Sequence, residues 1–345
     1  MDYSELIKKL TEGNSRAAAR LITIVENDID AAEEIINSIY EKTGNAYILG
    51  TTGAPGSGKS TFISTLIKIL LAQGKKIGII CVDPSSPLTG GALLGDRIRM
   101  KEHFSLENVF IRSMANRGQL GGLARATEDA IKILDVFGCD IIIVETVGVG
   151  QSEVDIFRSA HTVIVLLVPG LGDDIQAIKA GIMEITDIFV VNKMDLPGAD
   201  RKVSEIIQML ELNMNYKYNS IKKTRYIKEK HWEPELTLPN SDNLNEWIPE
   251  IIKINSRTGE NFKDLLEIIE KHKNFLETTG VIINYRKNRI KTETFQILKY
   301  KLTKKVEELL NSEEIEKYLE QVIDKKLDPY SMANLIMKML RNDKN

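Results

Sequence analysis

Apolar positions follow three successive patterns along the chain. Between residues 3 and 42, Leu6, Leu10, Ala18, Leu21, Ile22, Ile24, Ile29, Ile35, Ile36 and Ile39 recur at helical spacing with no proline, and Gly13-Asn14 interrupts them. That spacing predicts two or three short helices. From residue 45 onward short apolar runs alternate with helical stretches: AYILGTT, KIGIICVD, CDIIIVET, HTVIVLLVP, DIFVVNKMD and IIKINS. These runs do not alternate polar with apolar residues, as expected of parallel strands covered on both faces. Helices between them imply βαβ units. Residues 211–248 are polar, basic and rich in Asn, with Pro234 and Pro239, and read as a surface insertion or long loop. After residue 280 the pattern is helical again, with a stripe running from Ile297 to Ile323. The expected fold class is therefore α/β, a mostly parallel, doubly wound sheet over residues 45–278, with a helical extension over 1–44 and another over 279–345.

Composition narrows the function classes. With 43% hydrophobic and 28% charged residues, 345 residues suit an ordinary water-facing globular protein. A net charge of −3 argues against a general nucleic-acid binder, and the basic run KKTRYIKEK (222–230) reads as a solvated helix face. No apolar run approaches the ~20 residues that a spanning helix needs. The start, MDYSELIKKL, has no apolar core of a secretory leader, so the cytoplasm is the expected compartment and no membrane partner is expected. Cys81 and Cys139 lie in apolar runs and read as buried thiols. The four histidines are scattered, which gives a Zn or Ni site no support.

The chemistry is concentrated at strand ends. GAPGSGKS, from Gly53 to Ser60, fits the phosphate-loop pattern between an expected strand and an expected helix. Glycines let backbone N–H groups converge on phosphate oxygens, and the helix start adds partial positive charge. Candidate nucleotide-binding residues here are Gly53, Pro55, Gly56, Ser57, Gly58, Lys59, Ser60 and Thr61; Lys59 is also a candidate catalytic cation, and the Ser60 hydroxyl suits Mg²⁺. In parallel α/β sheets ligands bind beyond the carboxyl ends of strands. Asp83 ends KIGIICVD, Glu145 ends CDIIIVE, and Asp96 lies in the glycine-rich TGGALLGDR. A charge at such a place needs a partner. Magnesium with Ser60, Asp83, Asp96 and Glu145 as ligands supplies one; a salt bridge from Glu145 to an arginine such as Arg125 is the structural alternative. Asp96 and Glu145 are the candidate catalytic acids. Gly148 leaves room for a backbone N–H near the terminal phosphate.

The phosphate loop alone leaves ATP and GTP open. NKMD, Asn192 to Asp195, decides for GTP. The Asp195 carboxylate can accept from the guanine N1–H and 2-amino group, which adenine cannot match; the Asn192 amide can pair with O6, and the Lys193 stem can cover the base. Buried hydrogen bonding of this kind discriminates by on the order of 10⁴ to 10⁵. Ser256 is expected to complete the base pocket, with Asn255 and Arg257 beside it as candidate nucleotide-binding residues and Thr258 and Gly259 as the turn. Gly118, Gly121 and Gly122 form a candidate phosphate-sensing switch, or a turn before a helix expected over 124–137. Asp173, Asp174, Gln176 and Lys179 either couple nucleotide state to a partner or are a solvated helix start.

The phosphate loop, VDPSSPLTGGALLGDRIRM, SMANRGQLGGLA, VETVGVGQSE, PGLGDDIQAIKAGIMEITD and VNKMD together resemble the MeaB/ArgK-like GTPases across nearly the whole chain. The resemblance implies a signal-recognition-like G domain in which the strand after the phosphate-loop helix runs parallel to the first. It also implies a slow Mg²⁺-dependent conversion of GTP to GDP and a C-terminal helical arm for homodimerisation. The implied client is an adenosylcobalamin-dependent acyl-CoA mutase, chiefly methylmalonyl-CoA mutase, which the family protects and whose cofactor loading it gates. The chain departs from the family in having Ser256-Arg257 where Ser-Ala or Ser-Gly is usual, and in a longer, more basic 211–248 segment. Rival readings are a nickel-insertion GTPase, which predicts His-rich or Cys ligands absent here, and a transport kinase for arginine and ornithine, which predicts ATP. A GTP-binding scaffold without turnover is the third.

Overall fold

The computed structural model describes residues 2–84, 106, 108–116, 122–146, 160–170, 185–217 and 247–342. The N-terminal stretch forms three helices, α1 (Ser4–Thr11), α2 (Ser15–Asn27) and α3 (Ile29–Ile39). Their boundaries are chemical: the Asn14 side chain accepts from Ala17 N at the start of α2, and Asp28 accepts from Asp30 N and Ala31 N at the start of α3, relieving N–H groups that a helix start leaves unpaired.

Among the described residues seven strands then form one sheet: β1 (Tyr47–Gly53), β2 (Ile77–Pro84), β3 (Val109–Asn116), β4 (Ile141–Thr146), β5 (Thr162–Leu167), β6 (Ile188–Val191) and β7 (Glu250–Lys253). Their order is β3-β2-β4-β1-β5-β6-β7, and every ladder is parallel. The strand that follows the first crossover is parallel to β1, as the resemblance implied. All six apolar runs are strands. The seventh, VFIRSMAN, was not expected. It lies at the sheet edge, carries Arg112 and Ser113, and so lacks the unbroken apolar run that marks a strand buried on both sides.

The crossover helices α4 (Lys59–Ala72), α5 (Gly122–Val136) and α6 (Ala199–Lys217), with α7 (Phe262–Thr278) after the last strand, cover the sheet. One face packs Leu49, Ile79, Ile143, Ile164 and Val190 against Phe62, Ile63, Leu66 and Ile67 of α4 and Leu265 and Ile268 of α7. The alternate residues Ile48, Ile80, Ile142 and Val163 pack on α5 and on α2 and α3, so the N-terminal helices share a core with the sheet. Val165, Leu167, Phe189 and Val191 of the same face meet Val203, Ile206 and Leu210 of α6. The helix α6 runs on through Lys217, into the segment expected to be a loop from residue 211. Residues 218–246 lie outside the described residues.

The C-terminal stretch is helical as expected, but in three pieces: α8 (Val281–Leu310), α9 (Glu313–Ile323) and α10 (Pro329–Asn342). Ile315, Met332 and Ile336 form a small core of their own. The joint between α8 and the body is built from charges. Arg125 of α5 donates to Asp129 (2.8 Å) and to Val25 O (2.8 Å), and its guanidinium lies 5.4 Å from the Tyr300 ring centre. Lys132 pairs with Glu293, and Lys301 with Glu33 at 2.6 Å. Burial pushes the Asp129 carboxyl up to about 6 against the pull of Lys132 and Arg125, so desolvation outweighs attraction here. Cys81 and Cys139 are buried thiols, as expected, and neither is in a disulfide. No helix among the described residues is long and apolar enough to cross a membrane.

At the amino edge of the sheet, Tyr47 OH and His272 Nδ1 meet the Thr162 hydroxyl at 2.6 and 2.8 Å, and His272 Nε2 lies 3.4 Å from Asp187. Val163 N–H donates to Asp187 at 2.8 Å. Burial raises Asp187 from 3.8 to about 7 and lowers His272 from 6.5 to about 4. Stability from the raised carboxyl is fully present below pH 3.8 and is lost as pH rises through about 7. Stability from the lowered imidazole is present above pH 6.5 and is lost as pH falls through about 4. The two slopes oppose each other between those limits. Asp187→Asn, which keeps an acceptor for Val163, should therefore unmask the histidine. Its melting temperature should fall more steeply than the wild type's as pH is lowered from about 6.5 to 4; parallel pH profiles would contradict the pairing.

Candidate functional site

The connections leaving the neighbouring strands β1 and β4 diverge: the chain passes from β1 to β2 on one side and from β4 to β5 on the other. Ligands bind at such a switch point, beyond the carboxyl ends of strands. The phosphate loop sits there, running from the end of β1 into α4. Gly56 and Gly58 have left-handed φ of 82° and 89°, and a Cβ on Gly58 would come 2.5 Å from Asn192 Nδ2, so glycine is required at this contact. No side chain caps the start of α4, where N–H groups and the helix dipole suit an anion. The buried Ser57 Oγ has no hydrogen-bond partner among the described residues. Lys59 is buried and donates to Gly53 O (2.6 Å) and Ala54 O (3.3 Å), folding its ammonium back over the loop. Pro55 and Thr61 are exposed and Ser60 half-buried at the rim. This glycine-lined cradle with the Lys59 ammonium fits nucleotide phosphates.

Glu145 is 2% exposed near the end of β4. It pairs in register with Thr51 of β1 and Cys81 of β2, and Cys81 Sγ lies 3.8 Å from its Oε2. In-register neighbours share a face, and Cys81 packs with the α4 side of the sheet, so Glu145 lies on the face that carries Ser60. Arg125 is engaged by Asp129 and Val25 O and is not the partner of Glu145. A hydroxyl and a buried carboxylate on one face are oxygen donors of the kind Mg²⁺ takes. The backbone of Asp83 is next to last in β2, beside Ala115; its side chain, with Asp96, Gly148, Gly118, Gly121, Asp173, Asp174, Gln176 and Lys179, lies outside the described residues.

The guanine motif follows β6. Asn192 is the hinge of the whole site. Its Nδ2 donates to Ser57 O of the phosphate loop (2.8 Å), while Oδ1 accepts from Lys193 N (2.8 Å) and Ser256 N (3.1 Å). Both carbonyl lone pairs are used, and one amide proton remains to reach a base. Lys193 takes a left-handed φ of 57° and its Nζ reaches Gly56 O at 2.9 Å, stretching its stem across the phosphate loop. Thr65 of α4 donates to Ser256 O at 2.6 Å. Phosphate loop and base loops are thus one hydrogen-bonded unit.

Asp195 is exposed, and its Oδ1 accepts from Asn255 Nδ2 at 3.0 Å. Asn255 Oδ1 in turn accepts from Arg257 N (3.0 Å) and Thr258 N (3.3 Å), which sets the expected turn. Asn255, and not Ser256, is thus the residue of this loop that reaches Asp195; the Ser256 hydroxyl is buried and has no hydrogen-bond partner among the described residues. The Arg257 side chain is exposed. Thr65 had no signal in the sequence, because its role depends on a residue 191 positions away.

Comparison with known proteins places this architecture. The family profile described as "Methylmalonyl Co-A mutase-associated GTPase MeaB" matches residues 18–311. A protein of Pyrococcus horikoshii named as a GTPase is 50% identical over 336 residues, covering 97% of this chain and 98% of its own. The mouse protein named "Methylmalonic aciduria type A homolog, mitochondrial" is 28% identical over 351 residues, covering 96% of this chain and 78% of its own. A solved structure titled as a LAO/AO transport system kinase has the same fold, with a TM-score of 0.65 at 24% identity over 98% of this chain and 97% of its own. With its parallel P-loop sheet and a family match across most of its length, the chain belongs to the methylmalonyl-CoA mutase-associated GTPases, the MeaB family, and is a P-loop GTPase.

Proposed function

We propose that this GTPase binds GTP and GDP with Mg²⁺ and serves in the cytoplasm as a chaperone of an adenosylcobalamin-dependent acyl-CoA mutase, methylmalonyl-CoA mutase foremost. In this reading it protects the mutase and gates loading of its cofactor. The family description and the name of the mouse relative support the client. The single observation that carries the nucleotide half is the hydrogen-bonded unit in which Asn192 joins Ser57 to Ser256. Lys59 holds the outer phosphates. Ser60, Asp83, Asp96 and Glu145 hold the cation directly or through water, and Asn192, Lys193 and Asp195 select guanine. A Mg²⁺ held by these residues would neutralise charge on the transferring phosphoryl group, and the residues around it would position water against the γ-phosphorus. Exposed Ile283, Ile290, Phe295, Leu298 and Leu302 on α8 support a homodimer formed through the C-terminal helices.

Purified protein should take up GDP and GTP far more tightly than ADP and ATP, and should hydrolyse GTP only with a divalent cation. It should sediment as a dimer and co-purify with a methylmalonyl-CoA mutase in a manner that differs between GDP and a non-hydrolysable GTP analogue. Equal affinity for adenine and guanine nucleotides would end the nucleotide reading; indifference of the mutase to both nucleotide states would end the chaperone reading.

A further inference from the structure

We infer that Asn255 orients the Asp195 carboxylate toward the base, acting as a positioning residue and not as a nucleotide contact. The inference rests on the reading of Asp195 as the guanine selector. To accept from both N1–H and the 2-amino group, the carboxylate must present two oxygens in the plane of the base. Asp195 is exposed, and an unsupported carboxylate there would turn freely about its last torsion. Asn255 Nδ2 fixes Oδ1 at 3.0 Å and leaves the other acceptor positions of the carboxylate for a ligand. The Asn255 amide is itself locked, because Oδ1 accepts from Arg257 N and Thr258 N. Its backbone is pinned as well: Asn255 N donates to Glu260 O at 3.3 Å, and Asn255 O accepts from Gly259 N at 2.9 Å. Constraint passes from backbone to amide plane to carboxylate plane. Ser256 does not take this role: its hydroxyl is buried and makes no hydrogen bond to Asp195 or to any other described residue.

Asn255→Asp separates orientation from loop structure. It keeps an acceptor for Arg257 N and Thr258 N but sets a carboxylate against Asp195. Asn255→Ala removes both functions; should the aspartate variant fail to fold, the alanine variant's GDP-to-IDP preference, which loss of loop support alone would leave unchanged, is the reading that decides. Equilibrium binding of GDP and of inosine diphosphate, whose base lacks the 2-amino group, is measured for each at fixed Mg²⁺. A misaligned carboxylate loses the second contact first. Asn255→Asp should weaken GDP by about tenfold or more and narrow the GDP-to-IDP preference by about threefold or more, the scale of one lost hydrogen bond to a charged group. Unchanged GDP affinity and preference would overturn the inference. So would equal weakening of both nucleotides, which would make Asn255 a loop support only. Asp195→Asn is the control: if it keeps the guanine preference, the base reading itself fails, and the positioning role with it.

Discussion

Glu145→Gln is expected to lower single-turnover GTP hydrolysis by about 100- to 1,000-fold, the scale of removing one preorganised electrostatic group from a reacting site. GDP affinity should stay within about threefold, because the substitution preserves volume and GDP carries no γ-phosphate for the lost charge to organise. The argument is positional. Glu145 lies almost fully buried between Thr51 and Cys81, on the sheet face that also carries the start of α4. A carboxylate is desolvated there at a cost that a cation or its bound water would offset. Glutamine retains an oxygen but not the charge. Hydrolysis in Glu145→Gln at the wild-type rate, measured by phosphate release at saturating Mg²⁺, would remove the residue from the mechanism. A large loss of GDP affinity would instead make it a structural part of the pocket.

Asn192→Ala should be nearly as damaging, for a different reason. It deletes three hydrogen bonds, to Ser57 O, Lys193 N and Ser256 N. Two of these join the phosphate loop to the loop after β7. At about 1 kcal/mol each, the loss of stability is about 3 kcal/mol, or about 5–10 °C in melting temperature for a chain of this size. Nucleotide affinity should fall by about 100-fold, for GDP and GTP alike, since the base and phosphate halves of the pocket are no longer held in one geometry. Calorimetric titration and thermal melts check both. A variant that melts and binds as the wild type does would show that the bridge carries no weight.

Much of this was legible in the sequence for a physical reason. Strands buried on both faces must be apolar throughout, so β1, β2, β4, β5 and β6 announced themselves. β3 did not, because an edge strand can carry Arg112 and Ser113 at little cost. The phosphate loop was legible because glycines at fixed spacing answer a local backbone demand. The joining of loops was not. Asn192 to Ser57, Thr65 to Ser256 and Asn255 to Asp195 each link residues 60 or more positions apart, and no periodicity reports such a distance. That Asn255 is the residue reaching Asp195 is decided only by the path of the chain after β7. The cradle that Asp135 makes for the backbone N–H groups of Gly44, Asn45 and Ala46 was hidden for the same reason.

The charged joint between α5 and α8 has a thermal consequence. Hydration of ionised groups becomes less favourable on warming, so the penalty for drying Arg125, Asp129, Lys132 and Glu293 shrinks as temperature rises. A greasy seam gains no such help. The C-terminal arm should therefore stay seated on the body in heat that loosens the small apolar cluster at its far end.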